Sequence, residues 1–326
     1  MEPLITIIIP VYNAEENLSN SLDSLNKLNY KNLQIIFVND ASTDNSLRIL
    51  EIFATSTRLV CQILSHDKNL GVAAARNTGL NNADGDYIYF LDADDSLHPD
   101  ALNIMVGKAM EKDYDIVGCN WSLSFQKNSR KMNQYNFQEP WHAVEAILEG
   151  KMRWNLWLFL IKRSLFEKNN IQFIPNLDMG EDLVVMCKLF TFAEKVTYVN
   201  KHLYYYFQLN NQSLTKVYND NHIKQVTENI AELEFFLYSS KFSALIQNRI
   251  NILKLILKLP LLISDKKENY NKWLSWFQES NKFIFDKSHF NLRTRFLHWS
   301  AYNKQYWLIK FYYNFLVRFV YGVIYR

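Results

Sequence analysis

Residues 86–95 contain the densest set of candidate catalytic side chains in the sequence, Asp-Tyr-Ile-Tyr-Phe-Leu-Asp-Ala-Asp-Asp. The apolar run predicts a buried strand, and Asp92, Asp94 and Asp95 follow at its carboxyl end, where open α/β sheets bind ligands. Crowded carboxylates repel one another unless a cation lies among them, and hard oxygen ligands suit Mg²⁺ or Mn²⁺ rather than Zn²⁺. Such a metal usually bridges a protein carboxylate to a substrate diphosphate. The alternative is an ordinary turn, because Pro99 follows soon after.

The elements that must position these carboxylates alternate from the start of the chain. Strands are predicted from β-branched and apolar runs, and helices from apolar residues at helical spacing, at 4–9, 18–25, 33–38, 46–54 and 59–64. This alternation is typical of a parallel, doubly wound α/β sheet. Residues 10–13 and Asp40 follow the first two strands, so we expect them to line one cleft with the carboxylates.

Arg76 is the charged residue of a Gly-led helical segment at 69–79 that is otherwise rich in small residues. A guanidinium at the edge of a diphosphate site matches phosphate oxygens with its donors. The alternative is an ordinary surface arginine on a helix.

The second half of the chain offers weaker signals. A helix is predicted at 100–112, a strand at 115–121, a loop at 127–140, a strand at 196–207 and a packed helix ending at Pro260. Trp157 lies in an aromatic block, and its ring suits either a sugar ring or the core. Glu181 and Asp182 open a helical pattern, where the helix dipole favours acids whatever the function.

Composition indicates a folded globular protein, with 48% hydrophobic and 21% charged residues among 326. Three widely spaced cysteines in apolar settings predict buried thiols in a reducing compartment. The apolar run at 4–9 is too short for a signal peptide or a membrane span, so we expect a cytoplasmic protein. We predict no nucleic-acid partner, and the sequence leaves the oligomeric state open.

Five motifs, in order, make the chain similar to the bacterial family 2 glycosyltransferases of GT-A fold. They read ITIIIPVYNAEENLSNSLDSL, IIFVNDASTDNS, NLGVAAARNTGL, GDYIYFLDADDSLHPDAL and GEDLVVMCKLF, and the resemblance covers roughly residues 4–215. It implies an α/β GT-A nucleotide-sugar-binding domain at 1–215, with a doubly wound mixed sheet. A mostly helical C-terminal region at 216–326 would follow.

The resemblance also implies the site residues and a UDP-sugar donor. Asp40 would contact the uracil or ribose, Arg76 would help to hold the nucleotide, and Asp92 and Asp94 would hold the ribose and a Mn²⁺ or Mg²⁺ ion. Asp182 would be the catalytic base, and we assign Glu181 to an acceptor hydroxyl. The remaining predicted nucleotide contacts are Pro10, Tyr12, Asn13, Asn69, Gly71 and Ala93.

The implied reaction is inverting transfer of one sugar to a hydroxyl of a glycan or lipid-linked glycan, in the synthesis of cell-surface polysaccharide such as capsule or lipopolysaccharide. Two departures stand out: Phe159 occupies a position where the family often has Lys, and the Arg often found near Phe207 or Gln208 is missing. Processive synthases carry a Gln-x-x-Arg-Trp after the acidic pair, whereas here Arg153 and Trp154 precede it.

Two alternatives stay open. A sugar nucleotidyltransferase would need a Gly-rich, basic N-terminal loop, but residues 10–16 contain no Gly, Lys or Arg. A catalytically inactive homologue could bind nucleotide sugar or act as a scaffold.

The C-terminal 46 residues combine fifteen aromatic residues with a net charge of +7. This composition predicts peripheral docking on the inner face of a membrane, where rings lie at headgroup depth and cations meet anionic lipid. Phe311, Phe315 and Phe319 recur on one helical face beside Leu316, and Arg318 interrupts the apolar run. The alternative is a core helix, because aromatic residues also pack well in cores.

Overall fold

The computed structural model describes residues 2–125, 128–207, 219–246, 248–285 and 290–315. It forms two compact units, which we call unit 1 (Met1–Val144 with Met152–Lys241) and unit 2 (Glu145–Lys151 with Phe242–Arg326). The domain boundary predicted at residue 215 lies outside the described residues.

Unit 1 is built on one mixed sheet. The strands are β1 (Ile5–Val11), β2 (Leu33–Asn39), β3 (Val60–Ser65), β4 (Tyr87–Phe90), β5 (Ser96–Leu97), β6 (Ile116–Ser124), β7 (Ser129–Met132), β8 (Phe159–Lys162) and β9 (Val196–Phe207). Over the described residues their order is β3-β2-β1-β4-β8-β6-β9-β5, with β7 paired to β6. The α/β class expected from the sequence is confirmed.

Four strands that are neighbours in this sheet, β3, β2, β1 and β4, run parallel to one another. The last three of these strands, β2, β1 and β4, position the site. β1 pairs with β2 and β4, with Val11 opposite Asn39 and Ile8 opposite Phe90. β-branched and aromatic side chains make β1 and β4 nearly fully buried, as strands covered on both faces require. Because the three strands end at one edge, the residues that follow each of them meet there.

The other half of the sheet adds antiparallel pairs. β8 joins β4 to β6, and β9 runs parallel to β6 past two register shifts. β7 lies within the segment predicted as a loop at 127–140, so that prediction was wrong for residues 129–132. Three of its four side chains are exposed, so it hydrogen-bonds to β6 without an apolar period to reveal it.

Unit 1 also contains helices, and unit 2 is mainly helical. They are α1 (Leu18–Asn26), α2 (Ser46–Ser56), α3 (Val72–Asn81), α4 (Ala101–Lys112), α5 (Pro140–Leu148), α6 (Arg163–Lys168), α7 (Glu181–Phe192), α8 (Asp220–Tyr238), α9 (Ser243–Ile246), α10 (Arg249–Lys258), α11 (Lys267–Ser275), α12 (Leu292–Tyr302) and α13 (Tyr306–Tyr312). Short 3₁₀ helices lie at Leu156–Leu158, Leu259–Leu262 and Gln278–Phe285. The helical C-terminal region is thus confirmed. Within the described ranges no helix combines the length and apolarity needed to cross a bilayer.

The three cysteines are free thiols, as predicted. Cys119 and Cys187 are buried, but Cys61 is half-buried, against the expectation of a buried thiol. The reason is its position on β3, which forms the end of the strand order and leaves alternate side chains exposed.

Unit 2 has its own core, in which α10, α11 and α12 bury polar as well as apolar side chains. Lys258 and His298 are fully buried, and the Lys258 ammonium lies 4.4 Å from the centroid of the Trp273 ring. His298 packs between the rings of Trp273 and Phe290. Neither ring nitrogen of His298 has a hydrogen-bond partner among the described residues.

Candidate active site

The acidic turn after β4 is fixed to β9 through Asp95. This carboxylate is fully buried and accepts hydrogen bonds from Tyr204 Oη at 2.7 Å and from the Phe207 backbone N–H at 2.8 Å. Burial, followed by the charges of Asp92 and Asp94, raises the pKa of Asp95 well above its usual range. Asp95 therefore anchors the turn, while Asp92 and Asp94 are less buried and face the sheet edge.

Arg76 joins the two sets of carboxylates that the sequence marks out. It is buried in α3, its Nη1 donates to Glu181 Oε1 at 2.6 Å and to Asp182 Oδ1 at 2.8 Å, and its Nη2 lies 3.5 Å from Asp92 Oδ1. The guanidinium carbon stands 5.6 Å from the centroid of the Phe173 ring. Three carboxylates thus surround one cation, and these opposite charges outweigh burial and raise the pKa of Arg76.

Helix α7 delivers Glu181 and Asp182 at its first turn. Gly180 precedes them with φ +88°, a conformation that a residue with a Cβ adopts only with strain. Although side chains of adjacent helical residues diverge by about 100°, both carboxylates reach the same nitrogen of Arg76. Asp182 Oδ2 also accepts from the Leu156 backbone N–H at 3.3 Å.

The carboxylates around Arg76 differ in how readily they ionise. Burial and the charge of Asp182, partly offset by Arg76, raise the pKa of Glu181 to about 8. Burial also raises the pKa of Asp92 to about 7, where Arg76 opposes the shift and Asp94 and Asp182 add to it. Burial and the charge of Asp182 therefore disfavour the ionised form of Glu181.

Asp40 lies at the end of β2 and organises the loop that leads into α3. Its buried carboxylate accepts hydrogen bonds from the backbone N–H groups of Leu70 and Gly71, each at 2.8 Å, and lies 2.6 Å from His66 Nδ1. The other nitrogen of His66 lies 2.9 Å from Thr78 Oγ1. Asp40 thus ties β2 to the loop, and about one of the four lone-pair sites of its carboxylate is left for a nucleotide.

Gly71 is required where the loop enters α3. Its φ is +88°, and a Cβ there would stand 2.1 Å from Asp178 Oδ2. Asp178 Oδ1 accepts from the Ala73 backbone N–H at 2.9 Å, so this carboxylate caps the start of α3. The glycine lets Asp178 approach the helix end.

The other predicted nucleotide contacts are spread along the same edge. Pro10 is the penultimate residue of β1, and Tyr12 is about half exposed at 49%. Asn13 has φ +47°, and its Oδ1 accepts from the Thr43 N–H at 2.8 Å. Asn69 is exposed before Gly71, and Ala93 is half-buried between Asp92 and Asp94. The structure gives each a place at the carboxyl ends of β1, β2 and β4 or in the loop before α3.

Trp157 is buried and stacks on Tyr204, with ring centroids 4.2 Å apart and an interplanar angle of 15°. It also stacks on Tyr206 at 5.6 Å. Of the two roles open to it from the sequence, this packing assigns it to the core. Phe159, which stands where relatives often have Lys, is likewise buried, against Phe137 and Phe190.

A family model for "Glycosyl transferase family 2" matches residues 6–176, just over half of the chain. The chain belongs to this family. A Bacillus subtilis protein named "Putative glycosyltransferase EpsH" is 33% identical over 211 residues, which cover 63% of this chain and 60% of EpsH. The aligned part therefore spans less than two thirds of that relative's length.

Two solved structures are similar to this chain in fold at low sequence identity. S. aureus TarS 1–349 in complex with UDP-GlcNAc has a TM-score of 0.69 at 18% identity, covering 95% of this chain and 91% of that one. The mannosyltransferase PcManGT from Pyrobaculum calidifontis, in complex with GDP-Man and Mn²⁺, has a TM-score of 0.58 at 17% identity, covering 97% and 86%. The GT-A fold expected from the sequence is thus confirmed.

The acidic side chains at this sheet edge fit a metal ion whose remaining ligands come from the substrate and water. Across the described residues, no three His, Cys, Asp or Glu side chains are grouped to hold a metal by themselves. The charge of Asp94 raises the pKa of Asp92, and both charges raise the pKa of Asp95, so a cation would relieve their repulsion. Mg²⁺ and similar ions are commonly held by one or two carboxylates together with substrate phosphates and water.

Three site residues escaped the sequence analysis as individual predictions: His66, Asp178 and Tyr204. Each acts on another side chain or on a backbone N–H through a contact between residues 26 to 109 positions apart. An Asp in the irregular segment before α7 was the available signal for Asp178, but no spacing linked it to Gly71.

Proposed function

We propose that this chain is an inverting glycosyltransferase that moves one sugar from a UDP-sugar to a hydroxyl of a glycan or lipid-linked glycan acceptor in cell-surface polysaccharide biosynthesis. The observation that carries the proposal is the bridge made by Arg76. It brings Asp92, on the side predicted for the donor, to Asp182, on the side predicted for the acceptor, across 90 positions of sequence.

The proposed UDP-sugar donor is assigned from the residues at the carboxyl ends of the parallel strands. Asp40, Asp92 and Asp94 follow β2 and β4 there, next to the Gly-led start of α3. A uridine bound at this edge would direct its diphosphate toward Asp92 and Asp94, as ligands of open α/β sheets lie beyond the carboxyl ends of the strands. The complex of TarS with UDP-GlcNAc supports this choice of donor.

Asp182 is the base in this proposal. It would accept the proton of the acceptor hydroxyl while that oxygen attacks the anomeric carbon, and the bond from this carbon to the diphosphate oxygen would break, releasing UDP. A carboxylate has about four lone-pair sites, so Asp182 can accept this proton while it keeps Arg76 and the Leu156 N–H. Glu181, with its raised pKa, would hydrogen-bond an acceptor hydroxyl instead.

A divalent ion, Mn²⁺ or Mg²⁺, would be held by Asp94 and Asp92 and would neutralise charge on the diphosphate. Arg76 would keep Asp92 and Asp182 at fixed separation. The missing Arg near Phe207 leaves the metal as the main positive charge proposed for the leaving group.

The test is Asp182→Asn, which keeps the shape of the side chain and removes its basicity. UDP release from UDP-Gal, UDP-GalNAc, UDP-Glc and UDP-GlcNAc, with lipid-linked acceptors and Mn²⁺, should fall by about 10²–10⁴-fold. UDP affinity, measured by calorimetry, should stay unchanged. Glu181→Gln is the matched control and should lose less. A larger loss in Glu181→Gln would reverse the two roles, and no turnover in wild type with intact UDP binding would favour the inactive homologue.

We also propose that unit 2 docks on the anionic inner face of a membrane. Trp307, Phe311 and Phe315 are 66%, 64% and 52% exposed, and the rings of Phe311 and Phe315 lie parallel at 5.7 Å. Exposed Lys304 and Lys310 accompany them. Leu316, Arg318 and Phe319, which the sequence predicts on or near this face, lie outside the described residues.

The same helices also have a buried side. Leu297, Ala301 and Ile309 are in the core of unit 2, so deleting the segment would expose apolar surface and is a poor test. Point variants are better. Trp307→Ser with Phe311→Ser should abolish sedimentation with phosphatidylserine vesicles, and high salt should weaken binding of wild type.

Phe235→Ser is the matched control for this docking test, because Phe235 is 74% exposed on α8 of unit 1. It should sediment like wild type. Equal sedimentation of all variants, or none by wild type, would contradict the docking proposal.

A further inference from the structure

Unit 2 contains a cavity of about 1200 Å³ that the transferase proposal does not use. Small-molecule pockets are typically about 300–1,000 Å³, so this one has room for several sugar rings. Its walls come from α11, from the 3₁₀ helix Gln278–Phe285 and from the turn between α12 and α13. All three belong to unit 2, so the cavity is a feature of that unit alone.

One face of α11 forms the first wall. Lys267, Asn271, Leu274 and Ser275 are spaced at i, i+4, i+7 and i+8, which places them on one side of the helix. Three of these four side chains are polar. This wall offers hydroxyl, amide and ammonium groups beside the apolar side chain of Leu274.

The opposite wall supplies two tyrosines and a second lysine position. Tyr302, Lys304 and Tyr306 line the cavity from the turn after α12. Tyr306 Oη donates to Asn271 Oδ1 at 3.0 Å, which ties this turn to α11 across the cavity. Tyr302 is 43% exposed, so its ring is available to a ligand.

The charge of the lining is positive. Lys267, Lys282 and Lys304 face the cavity, and the acid in the lining is Glu279. Glu279 Oε1 already accepts from Lys254 Nζ at 2.9 Å. Three lysines and one acid therefore line the cavity, and the acid is paired with a cation from outside the lining.

The floor is held by buried contacts. Asn281 is almost fully buried, its Nδ2 donates to the Leu274 carbonyl at 3.0 Å, and its Oδ1 accepts from Lys258 Nζ. Lys258 also donates to the Trp276 carbonyl at 2.9 Å. These bonds fix the 3₁₀ helix against α10 and α11, so the lysines and tyrosines are presented by a preformed frame.

We propose that this cavity binds an anionic oligosaccharide, a chain of sugars bearing carboxylate or phosphate groups. Lysine ammonium groups pair with such anions as point charges, while tyrosine rings and amide groups suit sugar faces and hydroxyls. The three lysines in the lining favour an anionic ligand over a neutral one. This binding site is separate from the proposed transfer reaction and does not depend on it.

The experiment titrates the full chain with four probes by calorimetry at moderate salt. Tetragalacturonate presents carboxylates on sugars, and pentamannose phosphate presents a phosphate. Maltotetraose is a neutral saccharide. An oligo(dT) with the same charge as tetragalacturonate is a polyanion without pyranose rings. Binding by either or both anionic saccharides, with weaker or absent binding of the other two probes, supports the proposal and identifies the preferred anion. Binding of oligo(dT) as tight as that of the saccharides, or binding of no anionic saccharide, overturns it.

The variant Lys267→Gln with Lys282→Gln locates the binding. Losing two charge-assisted contacts should weaken saccharide binding by about tenfold or more. The matched control is Lys266→Gln with Lys168→Gln, which removes two exposed lysines outside the lining. Equal weakening in both pairs would mean that net charge alone attracts the probe, and would overturn the site. UDP affinity should be unchanged in every variant, which separates this result from any failure of the transferase proposal.

Discussion

Arg76 in unit 1 and Lys258 in unit 2 are both buried cations, but their surroundings differ in kind. Arg76 contacts the carboxylates of Asp92, Glu181 and Asp182. Lys258 donates to the neutral oxygens of Trp276, Phe277 and Asn281. Burial acts on both, but opposite charges raise the pKa of Arg76, whereas burial lowers the pKa of Lys258 to about 7.

The difference teaches what each unit can do with a buried polar group. In unit 1 three carboxylates surround Arg76 and keep the guanidinium charged, although burial raises the pKa values of Glu181 and Asp92. In unit 2 burial favours neutral forms, and it lowers the pKa of His298 to about 3. Unit 1 is therefore expected to respond to ions and to loss of charge, and unit 2 to acid.

The largest expected effect is metal removal, which tests the excess of carboxylate in unit 1. EDTA should abolish UDP release, and Mn²⁺ or Mg²⁺ should restore it, because Asp92 and Asp94 need a cation beside a bound diphosphate. Asp94→Ala should be inactive but folded by circular dichroism.

The control for Asp94→Ala is Asp67→Ala, since Asp67 is exposed and lies outside the proposed contacts. Full activity of Asp94→Ala in the presence of EDTA would show that the transfer reaction needs no metal ion.

The second prediction tests whether Arg76 stabilises the fold by neutralising the buried carboxylates around it. Arg76→Met leaves buried carboxylates without their cation, which typically costs about 3–5 kcal/mol of unfolding free energy. The loss should be smaller at pH 5 than at pH 8, because protonation of Glu181, whose pKa is raised, relieves the repulsion. Urea denaturation measures both values.

Lys108→Met is the comparison for Arg76→Met, because Lys108 pairs with Glu111 on the surface of α4. Its denaturation midpoint should match wild type. If both variants were equally stable, the buried cluster would contribute no more than a surface pair.

The smallest effect concerns His298. An unfolded histidine has a pKa of about 6.5, so unfolding takes up a proton below that value while the folded ring stays neutral down to about 3. The contribution of His298 is thus present above pH 6.5 and is lost as pH falls. From pH 7 to pH 5 unit 2 should lose about 2 kcal/mol.

Thermal unfolding of His298→Leu tests this dependence of stability on pH. The groups facing the ring are Trp273, Phe290 and the ammonium of Lys258. The variant should lose less stability between pH 7 and pH 5 than wild type. An unchanged slope would show that other groups carry the acid sensitivity.

Much of unit 1 could be predicted because its strands have long apolar runs. β1, β2 and β4 end at the residues named from the sequence, and parallel pairing puts those ends together. The contact of Arg76 with both Glu181 and Asp182 could not be foreseen, since helical spacing predicts that adjacent side chains diverge.

Unit 2 was less accessible to sequence reasoning. Its helices are short and mix exposed with buried aromatic residues, so Trp307 and Trp273 look alike in sequence although one is exposed and the other fully buried. The cavity lining comes from three segments between 267 and 306, and no local period connects them. Whether the exposed aromatic face meets a membrane remains a prediction.

The stack of Trp157 on Tyr204 gives unit 1 an optical label of its own. Parallel rings 4.2 Å apart couple their electronic transitions, so this pair should contribute a near-ultraviolet circular dichroism band. Tyr204 Oη donates to Asp95, and the N–H of Leu156, the residue before Trp157, donates to Asp182. A UDP titration followed in this band, with Trp157→Phe to isolate the signal, would report nucleotide binding in solution without any added dye.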